Sequence, residues 1–83
     1  MGFVLMTNLQ LTRKHRGLTQ KQLAEKSGVS LKMIQKYEAC EKDISHARAI
    51  TVWKLAAVLG CEITDLFEVT PEINDAIYYI MSK

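Results

Sequence analysis

The sequence has little of what marks catalytic, secreted or membrane-spanning chains. Its 83 residues contain one proline, four glycines, two cysteines and two histidines. No Pro/Gly/Ser linker or internal repeat divides them, so a single domain over 1–83 is expected. No stretch approaches the roughly 20 apolar residues that span a bilayer, and no membrane partner is expected. The start, MGFVLMTNLQ, has no basic region before its short apolar run, unlike a signal peptide. It also lacks the Ser or Thr at position six that favours myristoylation. The expected setting is cytoplasmic, where thiols stay reduced and a disulfide is not expected. Cys40 and Cys61 have neither paired C-x-x-C spacing nor a redox motif, and adding His46 and His15 produces no metal-ligand pattern. A nucleophile–base motif and a glycine-rich phosphate loop are missing too, so neither an enzyme nor a metal or cofactor site is expected.

What remains is a globular composition, 48% apolar and 24% charged, enough for one modest core. Charge is unevenly distributed. Residues 1–42 carry eight Lys or Arg against three Glu, net +5, whereas residues 43–83 carry three against six, net −3. Such asymmetry suits a chain with one face toward an anionic partner.

The periodicity is helical throughout. Thr7 caps a first helix, with Gln10 completing a capping box, and Gly17 stops it. Thr19 caps a second helix with Gln22 as its partner, and Gly28 supplies a tight turn. Ser30 caps a third, within SGVSLKMIQKYEACEK. At 100° per residue Met33, Ile34 and Tyr37 gather on one side of it, and Lys32, Gln35 and Lys36 on the other. The polar CEKDISHA reads as a loop. A fourth helix runs from about Ala47 to Leu59, with Ile50, Trp53, Leu55 and Leu59 as apolar surface. CEITDLFE holds a short fifth helix capped by Thr64. An added C-terminal helix is expected over about 70–82, with Pro71 at its first position and Ile73, Ala76, Ile77, Ile80 and Met81 as one stripe.

Two short helices joined by a glycine turn form a helix-turn-helix. The segments LTQKQLA, SGVS, MIQKYE and LAAVLGC-ITDLF, in that order and spacing, resemble the Cro/XRE-type helix-turn-helix family over about residues 9–68. The resemblance implies an all-α, five-helix, lambda-repressor-like domain that binds double-stranded DNA and regulates transcription as a repressor. It makes helix three the recognition helix, presenting Ser30, Leu31, Lys32, Gln35 and Lys36, with Thr19 and Gln20 against the DNA backbone and Lys42 near it in the following loop. Lys32 or Lys36 would donate to guanine, Gln35 would pair with adenine and Leu31 would touch a thymine methyl. Phosphate contact or solvent is the other reading of each lysine, and packing on helix two the other reading of Leu31. Arg13 and Glu38 match an arginine–glutamate pair that ties helix one to helix three in the family. Cys40 departs from it, standing where a glycine usually turns the chain out of helix three.

Two readings of the C-terminal stripe stay open: packing on the domain's own helices, or a homodimer contact. Dimers of this kind read half-sites about 34 Å apart. An alternative function is that of an antitoxin or interaction module that covers a toxin or other partner protein with that helix.

Overall fold

The computed structural model describes residues 6–68. Among them are four α-helices, α1 (Asn8–His15), α2 (Gln20–Ser27), α3 (Leu31–Glu38) and α4 (Ala49–Leu59), with 3₁₀ turns at Ile44–His46 and Ile63–Leu66 and no strand. The all-α expectation holds. The helix expected over 70–82, and the homodimer contact assigned to it, lie outside the described residues.

Each of the first three helices starts where a hydroxyl can take an orphan first-turn amide. Thr7 Oγ1 accepts from the Gln10 N–H at 3.2 Å, Thr19 Oγ1 from Gln22 at 3.0 Å and Ser30 Oγ from Met33 at 3.1 Å. The box at Thr19 closes, because the Thr19 N–H donates back to Gln22 Oε1 at 2.9 Å. At Thr7 only the forward half forms. There the Asn8 N–H donates instead to the Glu68 carboxylate at 2.6 Å, a negative charge well placed at a positive helix end. Between α2 and α3, Gly28 takes φ +76°, which a side chain would resist, and the Val29 N–H donates to Ser27 Oγ.

α2 packs on both α3 and α4, the Ile63–Leu66 turn packs on α4 and α1, and α1 meets α3. Leu9, Leu23, Ile34, Val52, Leu55, Leu59 and Leu66 are fully buried between them. Ile44 joins this core from the polar loop, whose Asp43 carboxylate accepts from both the N–H and the hydroxyl of Ser45. The Ser45 hydroxyl and then its amide hold the Asp43 carboxyl below its ordinary value.

Two expectations need correcting. α4 begins at Ala49 rather than Ala47, because the Ala47 N–H closes the preceding 3₁₀ turn on the Ile44 carbonyl. Its inward face is Val52, Leu55, Ala56 and Leu59; Ile50 and Trp53 lie off that face and are 53% and 56% exposed. The fifth helix is instead a four-residue 3₁₀ turn. Glu62, not Thr64, stands at its start, its N–H donating to Asp65 Oδ2 at 2.9 Å.

α4 ends against a cation from α1. Arg16 Nε donates to the Leu59 carbonyl at 2.8 Å, and its Nη2 to that of Gly60 at 3.4 Å. A guanidinium satisfies the last carbonyls and suits the negative end of the helix. Nearby, burial and then the Asp65 carboxylate push the half-buried Cys61 thiol above its ordinary value, outweighing Arg16.

α3 terminates in a left-handed residue. The Cys40 N–H donates to the Tyr37 carbonyl at 3.2 Å and the Glu41 N–H to Lys36 at 2.9 Å, the paired bonds of a Schellman motif. That motif requires positive φ, and Cys40 adopts +60°. Cys40 therefore keeps the glycine-type turn and carries its strain.

Two measurements follow. Cys40→Gly should stabilise the fold by about 1 kcal/mol, since the left-handed penalty disappears while the motif stays; urea denaturation reads it, and a loss of stability would contradict this geometry. With an alkylating reagent under native conditions, exposed Cys40 should react first and Cys61 lag, as peptide mapping would reveal.

Candidate nucleic-acid interface

α3 divides along its length. Ile34 and Tyr37 are buried and Met33 packs against the core, whereas Leu31, Lys32 and Gln35 are exposed and Lys36 is half-buried. Leu31 stays outside the core cluster at 36% exposure. Ser30, also exposed, uses its oxygen as the cap acceptor and keeps its O–H as a donor. Lys42 is exposed in the loop just past Cys40.

The first turn of α2 lies beside the last turn of α3, and one carboxylate joins them. Glu38 accepts from Arg13 Nε at 2.7 Å, from Arg13 Nη2 at 2.9 Å and from Gln20 Nε2 at 3.0 Å. Arg13 Nη1 donates to the Leu18 carbonyl at 2.8 Å. The paired side chains are 8% and 3% exposed, so this is a buried bidentate ion pair. It ties α1, the α1–α2 turn, α2 and α3 at one point. The sequence placed Gln20 at the DNA backbone but did not show what holds it. Its side-chain amide has two hydrogens; one goes to Glu38 and one is left to donate.

The three N-termini have another common property. None of α1, α2 or α3 carries an acidic residue in its first turn. In α2 that turn instead holds Lys21, exposed, next to Gln20. A cation there opposes the helix dipole, which an anion bound at the same end would reverse. Lys21 was missed in the sequence; its signal was a basic residue directly after the Thr19-Gln20 cap. By contrast Arg16 is committed to the end of α4.

A helix-turn-helix family model matches residues 9–66. The chain belongs to the Cro/XRE-type helix-turn-helix family. No curated protein compared with it matches. As an XRE-type protein it is a DNA-binding transcription regulator, of a family that is typically non-enzymatic. Among the described residues, no helix is long and apolar enough to cross a membrane.

The XRE-type frame makes the ion pair a stability test. Arg13→Met leaves a buried carboxylate with Gln20 as its remaining partner and should cost about 3–5 kcal/mol. Adding Glu38→Leu should return much of that loss, because both charges are then gone. Chemical denaturation of the two variants decides it; an Arg13→Met loss within a few tenths of a kcal/mol would mean the pair is idle.

Proposed function

We propose that this XRE-type regulator is a sequence-specific repressor that lays α3 in the major groove of double-stranded DNA. The observation that carries the reading is the solvent face of α3, Lys32 and Gln35 with Leu31 and half-buried Lys36, set beside the first turn of α2 by Glu38. The major groove, about 12 Å wide, admits one helix and presents base edges to its outward side chains. Gln35 reads adenine through its paired donor and acceptor, Lys32 or Lys36 donates to guanine, and Leu31 covers a thymine methyl. Thr19, Gln20, Lys21, Ser30 and Lys42 hold the phosphates and fix the register. The α2 amides of Gln20 and Lys21 have no intrahelical partner and add to that anion site. Occupying the groove over a promoter would exclude other proteins from it, the route by which the proposed repression acts.

Selection of bound sequences from random duplex DNA, followed by a salt titration, tests this. A defined motif should emerge. Gln35→Ala should relax preference at one position by about 1–3 kcal/mol. A lysine that touches phosphate should lower the salt slope by about one when changed to alanine. Sequence-independent retention would rule out specific regulation. If Lys32→Ala and Lys36→Ala both left affinity and preference intact, α3 would not be the reading helix. A promoter carrying the selected motif should fall silent with the protein and recover with Gln35→Ala.

A further inference from the structure

A cavity of about 240 Å³ opens where the start of α1, the end of α3, the loop after it and the Ile63–Leu66 turn meet. It shares Lys42 with the proposed DNA contacts and none of the others. Small-molecule pockets usually hold about 300–1,000 Å³, so this one suits a ligand smaller than a nucleotide. Its apolar lining comes from Leu9, Ile44 and Leu66.

Tyr37 supplies a separate sign of a ligand. The residue is 6% exposed, and its hydroxyl has no hydrogen-bond partner among the described residues. Every fully buried side-chain oxygen and nitrogen there does have one, so this hydroxyl is not sealed in. It opens on the cavity that Tyr37 lines. A polar group so enclosed calls for a partner. Charges of both signs stand beside it with bonding capacity left. Asp43 uses Oδ1 for Ser45, and its Oδ2 is 3.8 Å from His46 Nδ1, beyond hydrogen-bond reach. Glu68 uses Oε1 for the Asn8 N–H and keeps Oε2. The Lys42 ammonium has no ion pair among the described residues.

We propose that this cavity binds a small aliphatic α-amino acid as its zwitterion. The ammonium goes to Asp43 and Glu68, the carboxylate to Lys42 and the Tyr37 hydroxyl, and the side chain to Leu9, Ile44 and Leu66. A plain carboxylate or a phosphate would meet two like charges here. A plain amine would meet Lys42. A ligand that carries both charges answers both. Lys42 cannot hold this carboxylate and a DNA phosphate together. The consequence for DNA, which rests on the reading of Lys42 given above, is that the bound amino acid lowers affinity for the duplex.

Titration of the full chain with L-leucine, followed by amide NMR, tests the site. Signals of Tyr37, Lys42 and Ile44 should shift and saturate, with a dissociation constant of about 1 mM for so few atoms. Tyr37→Phe and Glu68→Gln should each weaken binding about tenfold. So should 4-methylpentanoate, which lacks the amine, and 3-methylbutylamine, which lacks the carboxylate. Bound leucine should also slow alkylation of Cys40, which lines the same cavity. In a salt titration with duplex DNA, saturating leucine should lower the slope by about one, as Lys42→Ala does. Absent or unsaturable shifts, or analogues that bind as tightly as leucine, would overturn the site whatever DNA did. A salt slope unmoved by saturating leucine would overturn the consequence for DNA alone.

Discussion

Taking a carboxylate out of water costs several kcal/mol unless every oxygen finds a donor. Glu38 lies under that constraint, at 3% side-chain exposure, and three N–H groups from two other helices meet it. Arg13 is buried with it, and its third guanidinium nitrogen, Nη1, donates to the Leu18 carbonyl. Such a network is tolerable only when complete, so α1, the turn after it, α2 and α3 have one mutual arrangement that satisfies it. Apolar contacts among Leu9, Leu23 and Ile34 hold the same helices together but are far less particular about angle.

The proposed reading of DNA depends on that arrangement. In the proposed complex Gln20 touches phosphate while the same amide is held by Glu38, a residue of the reading helix. The phosphate grip of α2 and the base-facing side chains of α3 are thereby referenced to one another through a single carboxylate. Phosphate contacts set the register in which bases are read, so a rigid link between the two elements transmits register directly.

What was legible in the sequence was mostly local. Thr19 with Gln22 and Ser30 act within three or four residues, and their caps formed where the pattern put them. The inward set of α3 was equally plain, because its apolar and polar positions separate cleanly at 100°. α4 gave less to the same reasoning: with apolar residues all round, its periodicity does not say which face is inner, and Ile50, Trp53, Leu55 and Leu59 could be grouped only as apolar surface. The short segment at Ile63–Leu66 has too few residues to distinguish an α-helical from a 3₁₀ turn. Ile44, alone in a polar stretch, gave no sign that it anchors the loop. Among the proposed contact residues, type and position were readable from the motif, but the Glu38 bond on Gln20 is a contact across 18 residues. Local spacing does not report contacts of that kind.

The bonds from Asn8 to Phe67 and Glu68 have a mechanical consequence. The Asn8 N–H reaches the Glu68 carboxylate and its Nδ2 reaches the Phe67 carbonyl at 2.8 Å, joining positions about 60 residues apart. The described chain therefore enters and leaves at one place, like a ring closed by a clasp. Tension between residues 8 and 68 falls first on that clasp and on the start of α1. The Glu38 junction is loaded only after the clasp opens, so α3, the proposed reading helix, is shielded from tension between those two positions.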